Sequence, residues 1–228
     1  MYIDYYYILI LPAFFIALWA QIKVTSTFKK YSSVPVLSKM TGAQAARNIL
    51  DANGLQGIRV EHINGSLTDH YDPKNQVIRL SDSVYAAVSV SALGVAAHEA
   101  GHALQYAQNY SPIKIRSAII PVTQIGSYAA LPLVFLGLAL SSQTLAVFGV
   151  LLFSAVVVFQ VVTLPVEFDA SKRAIATLGN SGYLTIDEIT GAKKVLNAAA
   201  FTYVAALLTA IMNLLRLVLI VSGNRRRN

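Results

Sequence analysis

Four apolar stretches poor in charge, at roughly residues 6 to 22, 117 to 139, 144 to 165 and 199 to 221, constrain this 228-residue chain more than any other feature. Each falls within the range of about 17–25 residues in which a helix crosses a bilayer, the helix being the one single-segment structure that satisfies its own backbone in lipid. The composition agrees, since 55% hydrophobic and only 13% charged side chains are too apolar for an ordinary soluble domain. No basic segment precedes the first stretch, and Gln21-Ile22-Lys23-Val24 is no small-residue cleavage site, so a retained anchor is expected rather than a signal peptide. Tyr5, Tyr6, Tyr7 and Trp19 flank it, where amphipathic rings favour the headgroup layer.

The net charge of +7 points to lipid headgroups and not to nucleic acid, because the basic residues are scattered beside the spans instead of gathered on one polar module. Lys23, Lys29, Lys30 and Lys39 follow the first span, and Arg116, Lys172 and Arg173 bracket the central pair; the positive-inside rule puts all of them in the cytoplasm. Four crossings from an outside N-terminus then leave Arg225, Arg226 and Arg227 outside, against the same rule. Either the count of four is wrong or the larger cytoplasmic excess decides the orientation. Arg216 lies inside the last apolar stretch, where a charge must snorkel or pair internally.

Five segments follow: an anchor at 1–22, a catalytic segment at 23–116, a membrane hairpin at 117–165, a cytoplasmic segment at 166–198, and a last span with its basic tail at 199–228. Within the second, Thr41 is placed to cap a helix running to about Ala52 and ended by Gly54. Ile58 to Ile63 and Gln76 to Leu80 read as strands, with a hairpin turn at Asp72-Pro73-Lys74-Asn75 after Leu67 to Tyr71. An Ala-rich helix is expected from about Tyr85 to Tyr106, closed by Asn109 and Pro112. Only Leu140 to Gln143 join the second and third spans, so they form an antiparallel hairpin that returns the chain to the face it left. Residues 168 to 197 continue as a helix, a turn around Gly179 to Gly182, and a second helix.

The Ala-rich helix carries His98-Glu99-Ala100-Gly101-His102. The two histidines lie one turn apart, about 40° around the axis, so both imidazoles reach one metal ion, while Glu99 lies about 100° further round, placed to move a proton rather than to bind. Gly101 and Ala100 leave room for another helix or a substrate backbone to come close. The absence of cysteine leaves histidine and carboxylate as ligands. A peptidase-type zinc takes three protein ligands and keeps one position open. His62, His70 and a few carboxylates are available, and the returning hairpin singles out Glu167, whose bland alternative is a juxtamembrane ion pair with Lys172 or Arg173. His70, in a strand just ahead of the helix, is a candidate catalytic residue as oxyanion donor or substrate contact, with Tyr71 as its competitor; the plain alternative is a turn histidine bonded to Asp69 or Asp72. His62 alternates with apolar neighbours and reads as structural.

These residues resemble a family. The HEAGH helix, the flanking spans, Glu167-Phe168-Asp169-Ala170 and Leu67-Thr68-Asp69-His70-Tyr71-Asp72-Pro73 are similar to the YugP-type neutral zinc metallopeptidases of bacterial membranes, over nearly the whole chain. More remotely the chain resembles the HtpX and CAAX prenyl protease group, which implies two histidines and a downstream glutamate as ligands. That group carries an Asp four residues after the glutamate, where this chain has Ser171. Asp169 could replace its support of a ligand histidine only from a turn, since two residues on a helix face apart. The expected fold is α+β, a small zincin-like core with a short antiparallel sheet on a helical anchor of about four transmembrane helices. The expected function is zinc-dependent hydrolysis of peptide bonds in membrane proteins or peptides, in a multi-pass protein of the cell membrane with its site on the cytoplasmic face; the oligomeric state stays open. Two rivals are an intramembrane protease, in which residues 86 to 104 enter the bilayer, and a non-catalytic adaptor with a structural metal.

Overall fold

A computed structural model describes residues 5–225 of the chain. Arg226 and Arg227 of the basic tail lie outside the described residues. After a 3-10 turn at Tyr5–Leu9 the elements are α1 (Leu11–Ser32), α2 (Gly42–Ala52), β1 (Arg59–Ile63), β2 (His70–Asp72), β3 (Val77–Ser81), α3 (Val90–Ala107), α4 (Ser111–Ala139), α5 (Gln143–Asn180) and α6 (Ile186–Arg225). The chain divides into two units, one of residues 1–21, 112–165 and 202–228, the other of residues 22–111 and 166–201.

The first unit holds the apolar segments. Among the described residues four helices, Tyr6–Ser32, Ser111–Ala139, Gln143–Asn180 and Ile186–Gly223, are long and apolar enough to cross a membrane, which supports the count of four. Each runs past the apolar stretch read from the sequence, and α5 continues through Pro165 at the end of its stretch. Within the unit α4 and α5 are joined by Leu140–Ser142 and pack antiparallel, as the short connection requires. Small residues set their spacing: a Cβ on Gly126 would stand 2.6 Å from the Leu152 carbonyl oxygen, and one on Gly149 2.8 Å from that of Ala130. Such backbone approach is how apolar helices gain van der Waals contact in lipid, where burial alone gives no advantage. Arg216 is buried and its guanidinium lies 3.8 Å from the centre of the Tyr7 ring, so the charge is met internally by a cation–π contact.

The second unit is the α+β part. Thr41 caps α2 through a capping box with Gln44, and Gly54 takes a left-handed φ of 75° just beyond its end. Asp72 holds the β2–β3 turn, accepting from the backbone N–H of Lys74 at 3.0 Å and of Asn75 at 3.2 Å. Hydrogen bonds donated by the Asn75 and Arg79 side chains, with these backbone ones from Asn75 and Lys74, hold its carboxyl below the usual carboxylate range. The sheet has the order β1-β3-β2. β2 and β3 pair antiparallel as expected, but β1 pairs parallel to β3, so the sheet is mixed and not simply antiparallel. The cause is topological: residues 64–69 carry the chain to the far edge, and the tight turn then returns β3 between β1 and β2.

Helix α3 begins at Val90, five residues later than the pattern predicts, because its preceding segment is used by other backbone. The carbonyls of Tyr85 and Ala87 accept from Ala43 and Gly42, and the Val90 N–H donates to Val34, leaving Ser89 as the cap. Once started, α3 is buried nearly all round, with Leu93, Ala96, Ala97, Ala100 and Ala103 at or near zero exposure. Leu50 of α2, Ile78 and Leu80 of β3, and Leu178 of α5 belong to the same core. Leu93→Ala should therefore cost about 2–5 kcal/mol, read as a lower melting temperature of the detergent-purified protein.

Candidate metal centre and active site

The second unit brings three of the residues read from the sequence to one point. His98 and His102 lie one turn apart on α3 with ring centres 4.7 Å apart, and Glu167 reaches them from α5, two residues beyond Pro165. One potential ligand atom from each lies within 4.8 Å of the others. Glu167 Oε2 stands 3.3 Å from His98 Nε2 and 3.6 Å from His102 Nε2. Two ligand atoms on a tetrahedral zinc, each about 2.0–2.1 Å from the ion, are about 3.4 Å apart, so the spacing of Glu167 from each histidine suits a shared zinc. Glu167 is only 2% exposed, and burial without a cation would be costly for a carboxylate. Arg173, one of the two cations in the alternative pairing, is bound to Asp169.

Why Glu167 can come so near is written in Gly101. A Cβ there would meet the Ala170 carbonyl oxygen at 2.7 Å, so the backbones of α3 and α5 touch within the HEAGH motif itself. Glu99 is buried on α3 and is not a member of the three-residue group. Burial opposes a charge on His102, yet hydrogen bonding to Glu167 and the negative charges of Glu99 and Glu167 outweigh it and raise the imidazole pKa. The centre thus carries an excess of negative charge, which suits a cation.

The far nitrogens of both imidazoles are engaged as well. Ser171 Oγ lies 3.2 Å from His98 Nδ1, and Gln105 Oε1 lies 3.0 Å from His102 Nδ1. Residues 169–171 are helical, so the turn that Asp169 was expected to need does not form. Ser171 itself supports His98, and Asp169 touches Gln105 rather than a histidine, accepting from Nε2 at 2.9 Å. The sequence pattern does not single out Gln105, although its place three residues after His102 on an otherwise apolar face is an available signal.

His70 stands outside this group. Its Nδ1 lies 2.8 Å from the Thr68 carbonyl oxygen and its Nε2 3.4 Å from Arg79 Nη1, so a neutral ring spends its one N–H on Thr68 and offers no free donor. Neither predicted turn partner holds it: Asp69 accepts from the Ser81 backbone at 2.8 Å and Asp72 from the turn. Tyr71 packs edge-on against Tyr106 of α3, centres 5.6 Å apart. His62 pairs with Asp82 at 2.6 Å on the outside of the sheet, in keeping with a structural role.

A mainly helical protein with a small sheet, membrane-length helices and a two-histidine, one-glutamate centre defines a membrane metallopeptidase class. The chain belongs to the family described as "Putative neutral zinc metallopeptidase", whose model matches residues 6–222. It is also similar to the "Putative membrane protease YugP" of Bacillus subtilis (strain 168), 49% identical over 221 residues, 96% of this chain and 98% of that one. No solved structure matches it. The metal is accordingly zinc, and the protein is a multi-pass membrane protein.

Two glycines of α3 give a paired test. Gly101→Ala should push α5 away and lower the zinc content of the purified protein, whereas Gly94→Ala, whose Cβ would meet that of Ala192 at an ordinary 3.5 Å, should leave zinc unchanged and stability equal or higher.

Proposed function

We propose that this chain is a zinc endopeptidase that cleaves membrane proteins or peptides at the cytoplasmic face, with His98, His102 and Glu167 holding the metal and Glu99 as general base and acid. The convergence of three ligand atoms beside a buried carboxylate outside their group carries this reading. When bound, zinc supplies the Lewis acidity that makes water a competent nucleophile at neutral pH. Glu99 takes a proton from the attacking water as its oxygen adds to the peptide carbonyl carbon, and returns a proton to the amine nitrogen as the C–N bond breaks. No covalent enzyme intermediate is needed. Glu167 and the two imidazoles orient the centre, and β2 is the strand along which a substrate backbone can lie, being at an edge of the sheet.

The cytoplasmic placement rests on the basic residues Lys23, Lys29, Lys30, Lys39, Arg116, Lys172 and Arg173, which outnumber the three arginines at the C-terminus. Between the rivals, the burial of α3 among elements of its own unit favours a site tethered at the membrane over one inside it. A buried Glu99 beside the ligands favours catalysis over a structural metal, which has no use for a base.

Glu99→Gln should lower peptidase activity by about 10²–10⁴-fold while zinc stays near one per chain by elemental analysis. Glu167→Ala should lose the metal itself. Full activity in Glu99→Gln, or full zinc in Glu167→Ala, contradicts the respective assignment.

A further inference from the structure

The geometry points to Gln105 as the positioning residue of the metal centre: it fixes the tautomer of His102 and ties that ligand to the helix that carries Glu167. This rests on the zinc reading above and extends it to a residue outside the ligand set.

Gln105 is fully buried, and its carboxamide spends its capacity inside the second unit. Its Nε2 donates to the Val166 carbonyl oxygen at 2.8 Å and to Asp169 Oδ2 at 2.9 Å. Neither acceptor can donate in return, so both hydrogens of the amide are committed and its orientation follows from chemistry. Oε1 must then face His102 Nδ1, 3.0 Å away, and the hydrogen of that contact must be on the imidazole. His102 is therefore held with a hydrogen on Nδ1, which leaves Nε2 as the nitrogen for a metal, and it is Nε2 that faces Glu167 at 3.6 Å. Val166 is the residue before Glu167, so one side chain anchors a histidine ligand at one end and the backbone beside the carboxylate ligand at the other.

The amide is itself held in place. Asp169 also accepts from Arg173 Nε, and Arg173 in turn donates to Gln108 and lies over the Tyr110 ring at 5.7 Å. A chain of contacts thus runs from Arg173 through Asp169 and Gln105 to His102, linking the C-terminal part of α3 to α5. Supporting groups of this kind fix ring orientation and ligand basicity, and their loss commonly weakens metal binding about 10–100-fold.

The test is zinc affinity by chelator competition on the full-length protein in detergent, with cobalt(II) spectra of the same samples, for wild type, Gln105→Leu and Gln105→Glu. Gln105→Leu should bind zinc about 10–100-fold more weakly and shift the cobalt d–d bands. Gln105→Glu, which keeps an acceptor for Nδ1–H but loses the donors to Val166 and Asp169, should bind zinc more tightly than Gln105→Leu and more weakly than the wild type. Equal affinity and unchanged bands in Gln105→Leu overturn the proposal, as does an equal loss in both variants, which would mark Gln105 as mere packing. Should Gln105→Leu fail to fold, Asp169→Ala takes its place: it frees one amide hydrogen of Gln105 and should weaken zinc binding, and wild-type affinity there overturns the proposal. A wild type that takes up neither ion overturns the zinc reading itself, and the role of Gln105 with it.

Discussion

The centre depends on one backbone contact, that of α3 with α5 at Gly101 and Ala170. Ligands from two helices separated by more than sixty residues of sequence can share an ion only if the helices approach closely at the right height. A side chain at position 101 would hold them apart by more than the tolerance of a metal–ligand bond. The small residues of α3, notably Ala96, Ala97, Ala100 and Ala103, serve the same end by letting this helix be packed on several sides at once. The apolar character of this helix, which in the sequence resembles a membrane segment, is explained by its place in a protein core.

Much of the site was legible in advance because its logic is local or topological. The spacing of His98 and His102 follows from helical periodicity, and Glu167 from the short connection between two spans. The supporting shell was less legible, since it depends on which faces meet across α3 and α5. Asp169 does not support a histidine directly but acts one step further out, through Gln105, while Ser171 fills the place where the remoter group carries an aspartate. A serine there accepts or donates without adding charge, and Gln105 likewise supports His102 with a neutral group. Neither support adds a charge to the centre.

In the fold, the capped start of α2, the Asp72 turn and the four long helices follow from residues near in sequence. The parallel pairing of β1 and the late start of α3 do not: both are set by backbone partners distant in the chain, Gln76 to Ser81 for β1 and Val34, Gly42 and Ala43 for the segment before α3. His70 illustrates the same limit. Its place ahead of the helix marks it as a catalytic candidate, but its hydrogen bond to Thr68, invisible to pattern reading, uses the donor that such a role needs.

The most direct measurement of the central claim is X-ray absorption at the zinc edge of the purified wild-type protein. The account predicts a four- or five-coordinate shell of nitrogen and oxygen at about 2.0–2.2 Å, with outer-shell scattering from two imidazoles. A single imidazole, or a six-oxygen shell with none, would contradict it.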